Sequence, residues 1–426
     1  MSTSDDRIAL RRDLHRHPEP AWREFYTTAR IVEELERIGV DELHLGEEAY
    51  AEFEGERSPL PDGEELETWR SRARDAGADP GVLDRMGEGY TGAVAVLRMG
   101  DGPTIGLRTD IDGLERTESD AEDHHPAAEG FRSEVEGMMH ACGHDAHATF
   151  GVGALAAVKD SAFSGTLKVF FQPGEEKGAG GEPMAKSGHL NDVDYLYAVH
   201  VGLDEPTGTV VPGISEFLAV SGARAEFDGV AAHAGGRPEA GRNALLALAT
   251  AVQHLYAIPR HHDGATRIGV GPAGGGTASN VVPEEAFLEF EVRGATNTLH
   301  DHMKEWATRV VEHAAGLHGC EVDLRWGGFL PTAPSDEALS QVVEDVATAS
   351  DRVSDTTYFD SPDGSEDATF LMREVQENGG LACYLGIGSD LPGGHHTDTF
   401  DVDEEALDIG VDVLAETVLE TERRQP

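Results

Sequence analysis

Met138-Met139-His140-Ala141-Cys142-Gly143-His144-Asp145-Ala146-His147 is the stretch from which the rest of the chain can be understood. One cysteine, two histidines and an aspartate stand within its last six residues, and the apolar run 148–158 that follows is typical of a helix. A thiolate and an imidazole on a loop that enters a helix, here Cys142 and His144, can bind one metal ion, and Gly143 allows the tight turn between them. The alternative interpretation is a redox or nucleophilic cysteine with unrelated histidines, so the remaining ligands have to be sought elsewhere.

Length and hydropathy limit the classes of protein to which the chain can belong. The chain has 426 residues, more than one ordinary hydrophobic core organises, which favours two domains. Hydrophobic residues make up 39% of it, and no apolar run approaches the roughly 20 residues that span a bilayer. The first six residues are polar and acidic, unlike a signal peptide. We therefore expect a cytoplasmic protein with no membrane partner.

The charge is strongly negative. The sequence holds 80 acidic against 33 basic residues, a formal net charge of −47, and only five of the basic residues are lysines. Such a surface repels nucleic acid and anionic membranes, so we expect no nucleic-acid partner. Because the acidic residues are spread along the whole chain, a disordered acidic tail explains them less well than adaptation to a salt-rich, halophilic cytoplasm. A protein that is folded and active in dilute buffer would contradict this hypothesis.

Polar groups follow the predicted strands of an α/β domain. Strands are predicted at 91–99, 103–112, 166–171 and 195–199. Asp110 and Asp112 lie at the end of the second, and His200 directly follows the fourth. Sites of α/β proteins lie at the carboxyl ends of their strands, so the aspartates are candidates for supporting a metal ligand and His200 for being one. The alternatives are a turn or surface charge pair for the aspartates, and a core histidine with satisfied hydrogen bonds for His200.

Two adjacent glutamates follow the third strand in Gln172-Pro173-Gly174-Glu175-Glu176. Adjacent carboxylates repel each other, and this repulsion is relieved when a metal ion neutralises one of them. The other carboxylate can then act as a general base on a metal-bound water. We assign Glu175 as the base and Glu176 as a ligand, although a Glu-Glu pair alone is a weak signal in so acidic a chain.

A change of pattern marks an inserted domain. Residues 216–326 read as alternating strands and helices of a compact α+β unit, whereas 1–215 and 327–426 share the α/β pattern and form one discontinuous domain. The predicted elements of the insert are strands at 223–228, 285–292 and 320–325 and helices at 243–257 and 300–317. Residues 46–89 carry no recognisable chemistry and are interpreted as a surface insertion.

Tandem histidines near the C-terminus complete the donor set. His395 and His396 stand on a glycine-bearing loop after the predicted strand 382–387, and either supplies an imidazole. With Cys142, His144, Glu176 and His200, the donors exceed one tetrahedral site, which two metal ions about 3.5 to 4 Å apart and sharing a water would explain. Zinc, manganese and cobalt all suit these donors.

The order of the motifs resembles a known family. The motifs are His140-Ala141-Cys142-Gly143-His144, the Glu175-Glu176 loop, Ala198-Val199-His200-Val201-Gly202, His233-Ala234-Gly235, Asn280-Val281-Val282-Pro283 and His395-His396 ahead of Phe400-Asp401. Together with Arg11 to Glu19 they are similar to the amidohydrolase branch of the aminoacylase and carboxypeptidase metallopeptidases. That branch includes N-acyl-amino-acid, hippurate and indole-acetyl-amino-acid hydrolases, and the similarity is greatest to the aminobenzoyl-glutamate hydrolases. It covers about residues 7 to 420.

The resemblance implies a fold and a set of roles. It implies a zinc-peptidase-like catalytic domain, with a central mixed sheet flanked by helices, and an inserted dimerisation or lid domain. The metal ligands are then Cys142, His144, Glu176, His200 and His396, with Glu175 as the base, His233 stabilising the oxyanion, often across a dimer, and Asn280 and Arg293 contacting substrate. The implied cofactors are two divalent ions, manganese or zinc, and the implied partners are small molecules and a second copy of the chain or a related subunit.

The implied activity is hydrolysis of the amide bond of an N-acyl or N-aroyl amino acid such as p-aminobenzoyl-glutamate, by Glu-assisted attack of a metal-bridging water. The alternative is a non-catalytic or accessory subunit of a hetero-oligomeric hydrolase, which the intact Glu175 and full ligand set argue against. A zinc deaminase is excluded because its His-x-Glu and Pro-Cys-x-x-Cys motifs are absent.

Overall fold

The computed structural model of the chain describes residues 3–51, 59–215, 217–358, 364–390 and 393–425. Residues 52–58 of the predicted surface insertion and residue 216, at the predicted domain boundary, therefore lie outside the described part. The chain forms two compact units, the first comprising Met1–Ser215, Ala333–Pro362 and Glu366–Pro426, the second Glu216–Thr332 and Asp363–Ser365. No helix within the described ranges has the length and apolarity to cross a membrane.

The helices and strands are numbered in chain order. The helices are α1 (Ser4–Arg16), α2 (Phe25–Ile38), α3 (Gly63–Asp75), α4 (Pro80–Arg85), α5 (His125–Glu129), α6 (His144–Lys159), α7 (Gly181–Ala185), α8 (Ala244–Tyr256), α9 (Asn297–Leu317), α10 (Glu337–Ala349), α11 (Ala368–Glu377) and α12 (Glu405–Arg424). The strands are β1 (Glu42–Leu45), β2 (Ala93–Arg98), β3 (Thr104–Asp110), β4 (Thr166–Gln172), β5 (Tyr195–Val201), β6 (Thr209–Val211), β7 (Ala219–Asp228), β8 (Ala232–His233), β9 (Thr266–Gly275), β10 (Val281–Val282), β11 (Glu285–Gly294), β12 (Glu321–Leu330), β13 (Asp355–Thr356) and β14 (Leu381–Ile387).

The first unit is built on a mixed sheet of eight strands in the order β1-β2-β4-β3-β5-β14-β6-β13. The four central strands, β4, β3, β5 and β14, are parallel, whereas β1 and β2 add to one side in antiparallel fashion. Every residue of β4 is buried, because helices cover both faces of a parallel sheet. The predicted α/β fold class, a mixed central sheet flanked by helices, is confirmed. The parallel strands also bring their carboxyl ends to one edge, which positions the site.

Helix α6 begins at His144, four residues earlier than its apolar run predicts, because Gly143 with a φ of +81° turns the chain into the helix. His144 and His147 therefore lie in its first turn. Within the helix, a Cβ added at Gly153 would lie 2.4 Å from the Val411 side chain of α12, so the two helices pack too closely for any other residue there. This contact sets how closely α6 and α12 pack.

The second unit contains the four-stranded antiparallel sheet β12-β7-β11-β9, on which α8 and α9 pack, and the short pair β8-β10. Strand β9 is absent from the sequence prediction because it is rich in glycine and carries Pro272, which suits an edge strand paired on one side only. The main segment of this unit runs to Thr332, because β12 continues to Leu330.

Candidate metal centre

Several overlapping groups of metal-competent atoms form at the carboxyl edge of the central sheet. Two of them share Cys142: one joins it to His144 and His200, the other to Glu176 and His396, and the ligand atoms of each lie within 4.8 Å of one another. The structure thus brings together all five predicted ligands. Burial raises the pKa of the Cys142 thiol, which is the opposite of what a redox or nucleophilic cysteine requires.

Two polar atoms of this cluster are buried without a hydrogen-bond partner. They are Nε2 of His144 and one carboxylate oxygen, Oε1, of Glu176, and they lie 3.9 Å apart. Unpaired buried polar groups are costly, and a bound ion relieves that cost where imidazole and carboxylate converge. The residues present therefore fit divalent metal ions.

His200 and His147 differ in what their ring nitrogens do. The Nδ1 of His200 donates to the carbonyl oxygen of Val201 at 2.8 Å. Its Nε2 is therefore unprotonated, and this nitrogen faces the Cys142 sulfur at 3.5 Å. In His147 the Val201 N–H donates to Nε2 at 2.8 Å, so Nδ1 carries the proton and donates to Asp110. His200 thus has a nitrogen available for a metal, whereas both nitrogens of His147 are already engaged.

The position of His200 corrects the sequence analysis. His200 does not follow the end of its strand but lies within β5, which continues to Val201 because His200 pairs in register with Gly386 of β14. Burial lowers the pKa of His200 well below the usual value, which favours the neutral imidazole that binds metals.

The tandem histidines are distinguished by their contacts. His395 donates from Nε2 to the Val201 carbonyl at 3.1 Å. His396 places Nε2 3.4 Å from Oε1 of Glu176 and holds its backbone by a 2.8 Å hydrogen bond to the Ala141 carbonyl. His396 also has a φ of +58°, an unfavourable conformation for a residue with a Cβ that directs this side chain into the cluster. The structure therefore favours His396 over His395 as the ligand.

Asp112 holds three parts of the cluster at once. Its Oδ1 accepts from the Glu175 N–H at 3.1 Å and lies 3.2 Å from Nδ1 of His144, and its Oδ2 accepts from the Glu176 N–H at 3.1 Å. The carboxylate fixes both the glutamate turn and the orientation of the His144 ring, with Nε2 pointing to the cluster. Asp110 accepts a hydrogen bond from Nδ1 of His147 and thereby orients that ring.

The environments of Glu175 and Glu176 push their pKa values apart. Burial raises the pKa of Glu175 well above its usual value, and the negative charges of Glu366 and Glu176 add to the rise. For Glu176, burial acts in the same direction, but the nearby imidazoles of His396 and His144 outweigh it and lower the pKa. Such a pair of carboxyl groups is typical of a proton acceptor beside a permanently ionised ligand.

A buried ion network that includes Glu366 lies next to these glutamates, and no sequence pattern predicts it. The guanidinium of Arg108 donates to Gln172 at 2.9 Å, to Asp110 at 2.7 Å and to Asp367 at 2.9 Å, and lies 3.1 Å from Glu366. All four acceptors converge on one arginine that is fully buried. Arg108 lies two residues before Asp110, the last residue of β3, and Glu366 and Asp367 are adjacent in the sequence. Nothing in the sequence indicates that Arg108 pairs with these carboxylates.

A second buried network fixes the start of α6 to the N-terminal helix. Arg11 contacts Asp145 at 2.9 Å and Asp401 at 2.6 Å, and His15 contacts Asp145 at 2.7 Å and Glu118 at 3.0 Å. Asp145 lies in the first turn of α6 and Asp401 follows the loop that carries His396. The network thereby ties together the two segments that supply sulfur and imidazole donors.

The remaining predicted site residues lie in the second unit. His233 in β8 accepts the Gly235 and Gly236 N–H groups on Nδ1, and the Asn280 carbonyl accepts from Ala234, so these two residues are neighbours. Arg293 lies near the opposite end of β11, paired in register with Val220 and Arg267. Within this unit the structure therefore separates Arg293 from His233 and Asn280.

An α/β unit with thiol, imidazole and carboxylate donors at the carboxyl edge of its sheet defines a metal-dependent hydrolase. Residues 106–420 match the model of the peptidase family M20/M25/M40, and the chain belongs to this family. It is accordingly a metal-dependent amidohydrolase that acts on amide bonds and uses divalent metal ions.

Relatives of known name are similar over nearly the whole chain. The protein is 42% identical over 413 residues to indole-3-acetyl-aspartic acid hydrolase of Enterobacter agglomerans and 40% identical over 413 residues to one subunit of p-aminobenzoyl-glutamate hydrolase of Escherichia coli (strain K12); each match covers 96% of this chain and 94% of the relative. The crystal structure of the aminobenzoyl-glutamate utilization protein from Klebsiella pneumoniae is similar with a TM-score of 0.77 and 34% identity, over 98% of this chain and 96% of that one.

Proposed function

We propose that this protein hydrolyses the amide bond of N-acyl or N-aroyl amino acids such as p-aminobenzoyl-glutamate. The observation that carries the proposal is the pair of unpartnered buried atoms, His144 Nε2 and Glu176 Oε1, beside Glu175 on the same turn. His144 Nε2 is 3.9 Å from a Glu175 carboxylate oxygen, so a base stands next to the proposed metal ligands. The names of the two relatives above support this substrate class.

The residues would act as follows. Cys142, His144, Glu176, His200 and His396 would hold the divalent ions, manganese or zinc, which when bound would supply Lewis acidity to the amide carbonyl and to a water. Glu175 accepts a proton from the water that attacks the carbonyl carbon and passes it to the leaving amine. His233 stabilises the developing oxyanion, and Asn280 and Arg293 bind the rest of the substrate.

The test of this function is a panel of substrates assayed with and without a chelator. It contains p-aminobenzoyl-glutamate, hippurate, N-acetyl-amino acids and indole-acetyl conjugates, each in dilute buffer and in molar potassium chloride. We expect chelator-sensitive release of the amine from at least one aroyl or acyl amino acid, with higher activity in salt if the charge of −47 reflects salt adaptation. Release that continues at full rate after metal removal would contradict the proposal.

We also propose that the second unit forms a homodimer. Among the described residues, three of the six large hydrophobic side chains that are exposed lie on α8: Leu245, Leu246 and Tyr256. The neighbouring strand β9 is an edge of its sheet, and the Tyr256 hydroxyl accepts the Val270 N–H of that strand at 3.2 Å. An unpaired edge beside an apolar helix face is a surface that a second copy can cover.

Leu246→Glu is expected to convert this dimer to a monomer, because it replaces an exposed apolar side chain of α8 by a charge, and Leu246 is 50% exposed in one chain. Light scattering coupled to size exclusion measures the mass. Leu317→Glu is the matched control, since Leu317 is 72% exposed on α9 of the same unit and should leave the mass unchanged. A wild-type chain that is monomeric at all concentrations would contradict the homodimer.

The second candidate is an accessory role in a hetero-oligomeric hydrolase, favoured by the name of the Escherichia coli relative, which designates one subunit of its hydrolase. In that case the purified chain is inactive alone and gains activity with a related protein, without any change in its metal content. The same mass measurement, made with and without that related protein, separates the two candidates.

A further inference from the structure

A further group of metal-competent side chains lies in the second unit. It consists of His261, His262 and Asp263, on the loop between α8 and β9, and their ligand atoms lie within 4.8 Å of one another. His302 of α9 adds a third imidazole, because the centre of its ring is 5.0 Å from that of His261. Imidazole and carboxylate donors together suit zinc and similar transition-metal ions, whereas magnesium and calcium prefer oxygen alone.

Two atoms of this group face each other with no proton between them. The Asp263 N–H donates to Nδ1 of His261 at 3.2 Å, so this nitrogen carries no proton of its own. The same nitrogen is 3.6 Å from Oδ2 of Asp263, a carboxylate oxygen. Two atoms that present lone pairs to each other repel, and a cation that accepts both lone pairs relieves the repulsion. Ligand atoms of a tetrahedral zinc ion are about 3.4 Å apart, since zinc–ligand distances are about 2.1 Å.

The loop that carries these donors is held in place on both sides of them. Its His261 N–H donates to the hydroxyl of the buried residue Thr266 at 3.3 Å. Gly264 lies against α9, since a Cβ added there would be 2.9 Å from the Leu299 side chain. The donors therefore do not have to be collected from a free segment of chain, which lowers the entropic cost of binding an ion.

We propose that His261, His262 and Asp263 bind a divalent transition-metal ion, with His302 as the fourth ligand. The site shares no residue with the metal centre of the first unit, and the proposed hydrolysis does not require it. An ion bound by the loop and by α9 together would fasten one to the other and stabilise the second unit.

The zinc content of the whole chain tests the site. The wild type, His261→Ala, His262→Ala and His302→Ala are stripped with a chelator, dialysed against a low micromolar concentration of zinc with excess magnesium, and analysed by mass spectrometry. We expect each variant to retain one zinc ion per chain fewer than the wild type. His262 has an 88% exposed side chain, so its substitution leaves the fold intact and a loss of zinc reports on the site alone.

His254→Ala and His313→Ala are the matched controls. Both histidines are exposed, on α8 and α9 of the same unit, and each donates from Nδ1 to the backbone carbonyl four residues earlier, at 2.8 and 2.7 Å. They should retain the zinc content of the wild type. Equal losses in the controls would mean adventitious zinc on surface histidines and would overturn the inference, as would a wild type that holds no more zinc than His262→Ala. A loss in His261→Ala and His262→Ala but not in His302→Ala would remove His302 as the fourth ligand.

Discussion

Glu175→Gln is expected to lower kcat by about a thousandfold while the protein keeps its full metal content, because loss of a positioned general base costs about 10² to 10⁴ in rate. The amide has the shape of the carboxylate, and the turn is held through the backbone N–H of Glu175 and Asp112, so the structure of the turn should not change. The measurement is steady-state turnover of the best substrate of the panel, with metal content determined by mass spectrometry on the same samples.

Two further glutamate variants serve as comparisons for Glu175→Gln. Glu176→Gln removes a ligand oxygen and should lower both metal content and turnover. Glu182→Gln changes a partly exposed glutamate of α7 that pairs with Lys186, and it should lower neither metal content nor turnover. Near-normal turnover of Glu175→Gln with metal bound would remove Glu175 as the base, whereas a parallel loss of metal would make it a ligand.

Local patterns in the sequence were sufficient to predict where most donors lie. Alternation and β-branching indicated the strands that became β3, β4 and β5, and the rule that parallel strands share a carboxyl edge explains why Asp110, Glu175 and His200 meet. Apart from strand β9, which was not predicted, the errors concern element ends. The polar first turn of α6 and the last residues of β5 lack the apolar signal on which such predictions depend, although they carry the site residues.

The buried ion networks could not be predicted in the same way. Arg11 and Asp401 are separated by 390 positions, and Arg108 and Asp367 by 259, and no periodicity relates residues so far apart. In a sequence with 80 acidic residues, any arginine has many conceivable partners, so only the fold selects one. The sequence suggested supporting roles for Asp110 and Asp112, but their histidine partners, His147 and His144, follow only from which nitrogen and which oxygen face each other in the structure.

The second large expected effect concerns metal affinity and distinguishes His396 from His395 as the ligand. His396→Ala should weaken metal binding by more than about 100-fold, beyond the roughly 10- to 100-fold that loss of a residue supporting a ligand costs, because it removes an imidazole that faces Glu176 and Cys142. His395→Ala is the matched control on the adjacent residue. It removes ring contacts with His200 and Phe400 and a hydrogen bond to the Val201 carbonyl, which the His200 Nδ1 also uses, so it should weaken binding by about tenfold at most. Competition with a chelator of known affinity measures both. Equal effects would mean that the loop as a whole binds the metal ion, and a larger effect for His395→Ala would transfer the ligand role to His395.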